Sequence, residues 1–351
     1  HSQAITSVHV YVNDVPVYGK QGLTVGEKKT KELDYEVTVP LNYGSNLVQV
    51  SVKNAAGLES FKESLSNITR TGKPEKVKLH LVAIGVSAYQ NEALNLGYAA
   101  KDAQDLVKLF QTEGHHFDEV IVHELLDENV TVEHIRALKT PLLDSKPDDA
   151  VIVFSPGHGL FNEDLNYFVG GHHMDFSNPG LRGIKVEDLE QLVDGIPALN
   201  KLLLLDACHS GEVDEDEIGL ITEQLKEDDN LVYRSVGTGF QISETKQIGL
   251  ANSVLLVEEF FADIRRSSGA TIISAASGLE LAAESKELQN GVFTAALKEG
   301  LTTSAADIDE DGAVTVKELK QFLVDRVRQL SGNAQRPTAR IENLRNDWRI
   351  W

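Results

Sequence analysis

Hydrophobic and polar residues alternate with two different periods along the chain. Near the N-terminus, apolar and polar residues alternate one by one, which is the period of half-buried β-strands. The alternating segments are residues 8–12, 35–39 and 47–52. Turn-forming residues such as Asn13-Asp14 separate them. The pattern predicts a small β-sandwich over residues 1–70. This region has no evident catalytic groups, so we expect its role to be packing, spacing or contact with a partner.

A different pattern begins at residue 77 and continues to residue 345. Short apolar runs alternate there with segments whose apolar residues are spaced by three and four, the spacing of amphipathic helices. This order predicts an α/β domain with a mostly parallel sheet covered by helices on both faces. Residues 69–76 form the predicted linker. The predicted strands are residues 79–86, 119–123, 150–154, 201–205 and 270–274, and the predicted helices are residues 99–111, 131–143, 186–193 and 253–265.

Two short polar segments follow the third and fourth predicted strands of this domain. Residues 155–159 (Ser-Pro-Gly-His-Gly) contain His158, and residues 206–211 (Asp-Ala-Cys-His-Ser-Gly) contain Cys208, the only cysteine. In open α/β sheets, ligands bind beyond the carboxyl ends of the strands. A thiol becomes a good nucleophile when a neighbouring imidazole takes its proton. The two segments therefore predict a dyad for acyl transfer, with Cys208 as nucleophile and His158 as general base and acid.

Both residues of this pair also have a structural interpretation. A lone cysteine at a strand end is often an inert, buried hydrophobic residue, and a loop histidine often only hydrogen-bonds to the backbone. Gly157 and Gly159 favour the catalytic interpretation, since small neighbours let a substrate backbone approach closely. Three further histidines could join the cysteine in a metal cluster, but zinc-ligand spacing is missing for His172, His173 and His209. We therefore expect chemistry that requires no cofactor.

These segments resemble the caspase family of cysteine peptidases. His158 precedes Cys208 by 50 residues, similar to the separation of about 50 residues in caspases. The Asp-Ala-Cys-His-Ser-Gly segment resembles metacaspases and bacterial caspase-like peptidases. Residues 81–86, 98–103, 273–277 and 291–296 resemble the family's first strand, first helix, last core strand and the helix that follows it. The resemblance covers residues 77–345 and implies a caspase-haemoglobinase-like fold, preceded by a small immunoglobulin-like module, and cysteine endopeptidase activity of the clan CD, C14 type.

The resemblance also implies roles for residues around the dyad. The backbone N–H groups of Cys208 and Gly159 would stabilise the oxyanion. Asp206 and Asp102 match the metacaspase carboxylates that bind the basic side chain before the scissile bond, although Asp102 lies one residue farther from Gly97 than in the usual pattern. True caspases select Asp with arginines, and the Arg expected before the first helix is absent here. We therefore expect cleavage after Arg or Lys; the alternative is that Asp206 is a strand-end carboxylate bonded to nearby amides.

Residues 307–318 match a Ca²⁺-binding EF-hand loop. Gly312 supplies its sharp turn. The flanking helices are unequal, since residues 316–330 make a good exiting helix while the entering helix, residues 294–301, is short, and no second such loop occurs in the sequence. Three interpretations remain open: a structural Ca²⁺ site, an unoccupied Asx-rich turn, or a regulatory Ca²⁺ switch. The matching ligands are the carboxylates of Asp307, Asp309, Asp311 and Glu318 and the carbonyl oxygen of Ala313.

The chain is strongly acidic. Its 351 residues include 33 Lys and Arg against 54 Asp and Glu, a net charge of −21. This charge argues against nucleic acid and anionic membranes as partners. It suits a basic peptide substrate, and simple solubility explains it equally well. The single cysteine excludes an internal disulfide, and no apolar run reaches the length that spans a bilayer.

The cellular setting follows from the thiol and the termini. A catalytic thiol needs a reducing compartment or protection from oxidation, so we expect a cytoplasmic protein. The chain starts without Met and without a signal peptide. We therefore expect it to be the C-terminal part of a longer protein, with sensor domains that this chain lacks.

One long segment, residues 212–249, is polar with weak periodicity, as functional loops often are. In caspase-like enzymes the equivalent region is often processed, and the candidate cleavage points here are Lys226, Arg234 and Lys246, with the Arg234-Ser235 bond foremost.

Three functions from different classes fit these observations. The first is a cysteine endopeptidase that cuts after Arg or Lys, as the effector end of a larger sensor protein. The second is a catalytically idle scaffold with the same fold. The third is another acyl-transfer enzyme, such as a peptide ligase or a hydrolase of small amides. The intact dyad, its glycines and Asp206 favour the first function.

Overall fold

Two sheets contain most of the strands, an antiparallel sheet near the N-terminus and a parallel sheet in the remainder of the chain. The computed structural model describes residues 4–25, 34–72, 76–112, 115–162, 164, 166–207, 230–233, 268–275, 282–338 and 347–351. Cys208 and the predicted helix at residues 253–265 lie outside these residues, as do Lys226, Arg234 and Lys246 of the predicted cleavage loop.

The antiparallel sheet confirms the predicted all-β region. Its strands are β1 Ile5–Val12, β2 Val15–Pro16, β3 Leu23–Thr24, β4 Gly44–Asn54 and β5 Glu63–Arg70. They lie in the order β2-β1-β4-β5, and β3 also pairs with β1. Asn13 and Asp14 turn the chain between β1 and β2 with φ angles of 52° and 69°, a left-handed conformation that Asn and Asp tolerate. The described residues of this region form one sheet and not the two facing sheets of a sandwich.

Three details of this region correct the prediction. Residues 35–39 form no strand. The hydrophobic pattern does not predict β5, because this edge strand pairs only with β4 and its described side chains are exposed, apart from the half-buried Arg70. Backbone hydrogen bonds therefore hold β5, and these leave no alternation in the sequence. Because β5 extends to Arg70, the predicted linker at residues 69–76 begins inside a strand.

The parallel sheet confirms the predicted α/β class. Its strand order is β14-β12-β8-β6-β7, and all pairs are parallel. These five strands match the five predicted ones, and β8 and β12 extend further than predicted, to the residues directly before His158 and Cys208. In chain order, the strands after β5 are β6 Lys78–Gly85, β7 Glu119–Leu126, β8 Ala150–Gly157, β9 Gly159–Phe161, β10 Tyr167–Val169, β11 Ile184–Lys185, β12 Asn200–Ala207, β13 Leu231–Tyr233, β14 Thr271–Ser274, β15 Ala283–Ser285 and β16 Asn290–Gly291.

Helices cover both faces of the parallel sheet. They are α1 Ala99–Gln111, α2 Val132–Ala137, α3 Lys139–Leu142, α4 Val186–Val193, α5 Val292–Thr302 and α6 Val316–Leu330. Phe154 of β8 lies in one hydrophobic core with Phe110 of α1 and the inner faces of α5 and α6. The next residue back along the strand, Val153, faces the opposite core with Leu189 of α4. No helix in the described part of the chain is long and apolar enough to cross a bilayer.

The single helix predicted at residues 131–143 is wrong, because the segment forms the two short helices α2 and α3. Proline has no N–H to donate to the carbonyl four residues earlier, and its ring collides with that carbonyl. Pro141 therefore interrupts the helix at Ala137, which is the last residue of α2.

The antiparallel sheet docks against the amino ends of the parallel strands. Asp148, just before β8, accepts a hydrogen bond from the Tyr43 N–H at 2.8 Å and lies 3.2 Å from Nη1 of Arg70. Leu199, just before β12, belongs to the hydrophobic cluster of the antiparallel sheet. The small sheet therefore lies at the end of the parallel sheet opposite to His158. These contacts do not involve the carboxyl ends of β8 and β12.

A buried lysine lies close to this interface. Lys201 of β12 is 1% exposed, and its Nζ donates to the Ser268 carbonyl oxygen at 3.1 Å. Burial lowers the pKa of Lys201 from 10.5 to about 7, because desolvation disfavours the ammonium ion, although the Asp194 carboxylate partly opposes this shift. Between these two pH values the unfolded chain binds a proton that the folded chain does not bind. The contribution of Lys201 to stability therefore increases as pH rises from about 7 to 10.5.

We predict that Lys201→Met stabilises the protein at pH 6 by about 1–4 kcal/mol, since a buried charge is replaced by an apolar side chain of similar length. The gain should shrink at pH 9, where Lys201 of the folded wild type is already neutral. Urea unfolding at the two pH values measures the difference. Lys108→Met, at a side chain that is 71% exposed, is the control. Equal destabilisation by Lys201→Met at both pH values would contradict the prediction.

Candidate active site

The pairing of β8 with β12 decides where the two predicted catalytic residues lie. The strands are parallel and in register over eight residue pairs, the last of which is Gly157 with Ala207. His158 follows Gly157 directly, and Cys208 follows Ala207 directly. Cys208 itself lies outside the described residues. The register nevertheless places the last strand residues before His158 and Cys208 next to each other, at one edge of the sheet.

The imidazole of His158 is held in a defined orientation. His158 is 1% exposed, and its Nε2 lies 2.8 Å from the carbonyl oxygen of Leu94. A carbonyl oxygen can only accept, so Nε2 must carry the hydrogen of this bond. In the neutral ring Nδ1 is then the nitrogen that accepts a proton. The Leu94 carbonyl therefore selects the tautomer in which His158 can act as a base through Nδ1.

Aromatic rings pack against this imidazole. The Tyr89 ring centroid lies 5.0 Å from that of His158, and the Phe176 ring contacts it edge-on at 5.5 Å. The Tyr89 hydroxyl also accepts a hydrogen bond from the His158 N–H at 3.1 Å. A Cβ on Gly157 would lie 3.2 Å from this hydroxyl. We expected Gly157 to make room for a substrate, but in the structure it makes room for Tyr89.

Both Tyr89 and Leu94 belong to the loop between β6 and α1, residues 86–98, which we call the β6–α1 loop. Asp127 Oδ1 accepts hydrogen bonds from the N–H groups of Ser87 and Ala88 at 2.8 and 2.9 Å, at the start of this loop. None of these residues is predicted from the sequence. A tyrosine and a leucine carbonyl in a loop carry no recognisable motif, and only their contacts with His158 identify them.

The predicted oxyanion donor Gly159 begins β9, directly after His158. β9 forms a short antiparallel sheet with β10 and β11, in which Gly159 pairs with Val169. The adjacent Gly170 N–H donates to the His158 carbonyl oxygen at 2.8 Å. This pairing fixes the backbone on both sides of Gly159 at the carboxyl end of the sheet. An N–H group that stabilises an oxyanion would have to lie at that end.

The two predicted specificity carboxylates both bond at the start of α5, Asp206 to its first turn and Asp102 to the two residues directly before it. Asp206 of β12 accepts a hydrogen bond from the Thr294 hydroxyl at 3.3 Å. Asp102 of α1 accepts from the Gly291 N–H at 3.0 Å and from the Asn290 side-chain amide at 2.8 Å. Both residues are 0% exposed. The structure therefore brings Asp206 and Asp102 to the same helix end, where the helix dipole favours negative charge.

A third carboxylate, Asp105, extends this polar region toward the surface. Its Oδ2 accepts hydrogen bonds from Lys101 and Lys298 at 2.7 Å each and from the Asn290 amide at 3.0 Å. Desolvation opposes the charged form, but these three donors outweigh it and lower the pKa of Asp105 well below its usual range. Asp105 is therefore neutralised by its own lysines. Asp102 differs in that it accepts hydrogen bonds from an amide side chain and a backbone N–H.

A buried glutamate completes the region. Glu284 of β15 is 3% exposed, and its two oxygens accept hydrogen bonds from the N–H groups of Gly97 and Tyr98 at 2.8 and 3.0 Å. Glu284 is not predicted from the sequence, because nothing local distinguishes it from a surface glutamate.

The histidines considered as metal ligands do not form a metal site in the described part of the chain. His172 Nδ1 bonds to the Ala88 carbonyl oxygen at 2.6 Å, and the rings of His172 and His173 pack edge-on at 4.6 Å. Only Asp307, Asp309 and Asp311 group closely enough to hold a metal ion among the described residues. His209 lies outside those residues.

The EF-hand-like loop places three of its predicted ligands together. Carboxylate oxygens of Asp307, Asp309 and Asp311 lie within 4.8 Å of one another. Glu318 Oε1 instead accepts hydrogen bonds from the N–H groups of Ile308 and Asp309 at 3.0 and 3.3 Å. Desolvation, together with the neighbouring carboxylates, raises the pKa of Asp309. The donor set is one of hard oxygens, which suits Ca²⁺ chemically.

We predict that Asp102→Ala destabilises the protein in the absence of substrate by about 1–3 kcal/mol, because it leaves the buried Gly291 N–H without its acceptor. Thermal or urea unfolding measures the loss, with Gln104→Ala at an exposed position of the same helix as the control. A wild-type unfolding curve for Asp102→Ala would contradict this prediction.

A family model of the caspase domain matches residues 79–348, whereas no match is found among the curated proteins. Among solved structures, the chain is similar to protein GSU0716 from Geobacter sulfurreducens, with 16% identity and a TM-score of 0.49, over 74% of this chain and 92% of that one. It is also similar to caspase-1 from Spodoptera frugiperda, with 13% identity and a TM-score of 0.43, over 72% of this chain and 78% of that one. The family match includes the five parallel strands from the second residue of β6 onward, together with His158, and covers well over half of the chain, so the chain belongs to the caspase family of cysteine peptidases.

Proposed function

We propose that the protein is a cysteine endopeptidase that cleaves after Arg or Lys. The observation that carries the proposal is the hydrogen bond of 2.8 Å between His158 Nε2 and the Leu94 carbonyl oxygen. This contact leaves Nδ1 as the basic nitrogen. In addition, the strand pairing of β8 with β12 ends at Ala207, one residue before Cys208. A backbone hydrogen bond alone also fits a structural histidine, and what favours the catalytic interpretation is that Cys208 directly follows the strand end paired with the one before His158.

The proposed reaction uses these residues in sequence. His158 Nδ1 takes the thiol proton of Cys208, and the thiolate attacks the scissile carbonyl carbon. The backbone N–H groups of Gly159 and Cys208 stabilise the resulting oxyanion. His158 then returns the proton to the leaving amine, which departs and leaves a thioester on Cys208. Water, activated by His158, hydrolyses the thioester and regenerates the thiol.

The preference for a basic side chain rests on the carboxylates at α5. Asp206 and Asp102 are buried beside the first turn of that helix, and Asp206 is separated from the nucleophile by only one residue. A carboxylate binds guanidinium through two parallel hydrogen bonds and ammonium as a point charge. Substrate would have to reach Asp206 past its bond with the Thr294 hydroxyl, which a guanidinium can replace with stronger charge-assisted bonds.

We predict that peptides ending in Arg or Lys before a fluorogenic group are hydrolysed and that peptides ending in Asp are not. Cys208→Ala should lower kcat/KM by at least about 10⁴-fold. Asp206→Asn should lower it by about 30-fold or more for Arg peptides, since it removes one partner of a buried ion pair.

The controls separate the alternatives. Unfolding curves of both variants exclude loss of the fold as the cause. Hydrolysis of the Asp peptide would refute the role of Asp206. A folded wild type that hydrolyses none of the peptides would favour the idle scaffold, and transfer of the acyl group to added amines in place of hydrolysis would favour a ligase.

The proposal includes self-processing at the Arg234-Ser235 bond, which directly follows β13 in the chain. Mass spectrometry of the wild type and of Cys208→Ala after long incubation tests this step. A single intact chain in a demonstrably active sample would refute it.

We also propose that residues 307–318 bind Ca²⁺. The support is the group of three carboxylates within 4.8 Å, whose mutual repulsion a cation would relieve. The pKa of Asp309 is raised in the same group, mainly by desolvation and further by the neighbouring carboxylates. Glu318 would exchange the N–H groups of Ile308 and Asp309 for the ion. The same pKa direction implies weaker Ca²⁺ binding as pH falls, because protons compete for the carboxylates.

We predict that Ca²⁺ raises the melting temperature of the wild type relative to a sample with chelator, and that Glu318→Gln abolishes the increase. A ligand at 100 times its Kd stabilises a fold by about 2.7 kcal/mol. Gln preserves the capping box that Thr315 and Glu318 form at the start of α6. Glu310→Gln removes the same charge from the same loop at a position that supplies no ligand, and should respond like the wild type. No Ca²⁺ response in the wild type would leave the loop as an Asx-rich turn.

A further inference from the structure

Glu284 connects two parts of the chain that are far apart in sequence. Its oxygens accept hydrogen bonds from the consecutive N–H groups of Gly97 and Tyr98, which lie 187 and 186 residues earlier. Tyr98 is the N-cap residue of α1, and its own side chain makes no capping hydrogen bond. The first N–H groups of a helix need acceptors, and a carboxylate there is also favoured by the helix dipole. Glu284 therefore binds the N-cap residue of α1 and the residue before it from a different part of the fold.

The close approach of the two segments depends on a glycine. A Cβ on residue 97 would lie 3.0 Å from Oε2 of Glu284, tighter than an ordinary contact. Gly97 therefore lets the carboxylate reach both N–H groups. The backbone of Glu284 is equally constrained, since it pairs with Val232 of β13 on one side and with Gly291 of β16 on the other.

This contact fixes the end of the β6–α1 loop. Asp127 holds the start of the loop through the Ser87 and Ala88 N–H groups, and Glu284 holds its end. Leu94, whose carbonyl oxygen sets the tautomer of His158, lies between these two anchors and only three residues before Gly97. Displacement of the loop end would move this carbonyl oxygen away from Nε2.

We propose that Glu284 is a positioning residue for His158, which acts through the β6–α1 loop by keeping the Leu94 carbonyl oxygen in place. The proposal rests on the proposed function in one respect, the identity of His158 as the catalytic base. Glu284 does not touch the substrate in this scheme. Its loss should therefore alter the state of the imidazole and the rate of the chemical step, and leave substrate binding largely intact.

Glu284→Gln is the direct test. The amide keeps the size of the side chain but turns an N–H₂ group toward one of two N–H donors, so it can hold only one of them. We expect kcat to fall about 10- to 100-fold, the loss typical when a hydrogen-bond partner that orients a metal-binding side chain is removed. KM should change little. Glu190→Gln is the matched control, because Glu190 of α4 is 4% exposed and lies outside the site.

A second readout does not need activity. Two-bond ¹⁵N–¹H correlation spectra of the imidazoles report which ring nitrogen carries the proton, and His158→Gln assigns the signal. We expect the Nε2–H form of His158 in the wild type and in Glu190→Gln, and a mixture of both tautomers in Glu284→Gln. If the wild type hydrolyses no peptide, the proposed function fails, while the tautomer comparison still decides the role of Glu284.

Gly97→Ala provides an independent variant in case Glu284→Gln does not fold. It leaves the carboxylate in the protein but forces it away from the loop end, so the tautomer and kcat should shift in the same direction by a smaller amount. A folded variant of either kind with the wild-type tautomer and the wild-type kcat would overturn the proposal.

Discussion

The in-register pairing of β8 with β12 is the constraint on which the site depends. Because parallel strands keep a constant register, the pairing of Gly157 with Ala207 sets where the chain leaves the sheet toward both His158 and Cys208. A slip by one residue would turn each side chain of β12 to the opposite face and would direct Asp206 away from α5. The site geometry is thus a consequence of the same hydrogen bonds that hold the middle of the sheet.

Burial imposes the second constraint. Buried carboxylates are costly unless they accept hydrogen bonds, and the structure meets this requirement for Asp102 and Glu284 with the N-termini of two helices. Asp102 of α1 binds at the start of α5, and Glu284 of β15 binds at the start of α1, so each carboxylate connects two elements. The start of α1 and the start of α5 are therefore each held by a buried carboxylate from elsewhere in the fold.

The two ends of the parallel sheet carry different contacts. The antiparallel sheet binds the amino ends, through Asp148 and Leu199, while His158 lies at the carboxyl ends. The β6–α1 loop, the hairpin of β9 with β10, and the start of α5 provide the contacts described at the carboxyl ends. An accessory region attached in this way stabilises the sheet without occupying the proposed substrate side.

The amino-acid sequence by itself determined the five parallel strands, the outline of the helices and the pair of segments that contain His158 and Cys208. These features depend on apolar runs, helical spacing and short motifs, which are local. It did not reveal β5, whose exposed side chains leave no pattern, or the roles of Leu94 and Glu284. Leu94 lies 64 residues from His158, and Glu284 lies 187 residues from Gly97. Only the tertiary structure decided these contacts, because they depend on how loops and helices pack over the sheet, and no local pattern in one sequence records that packing.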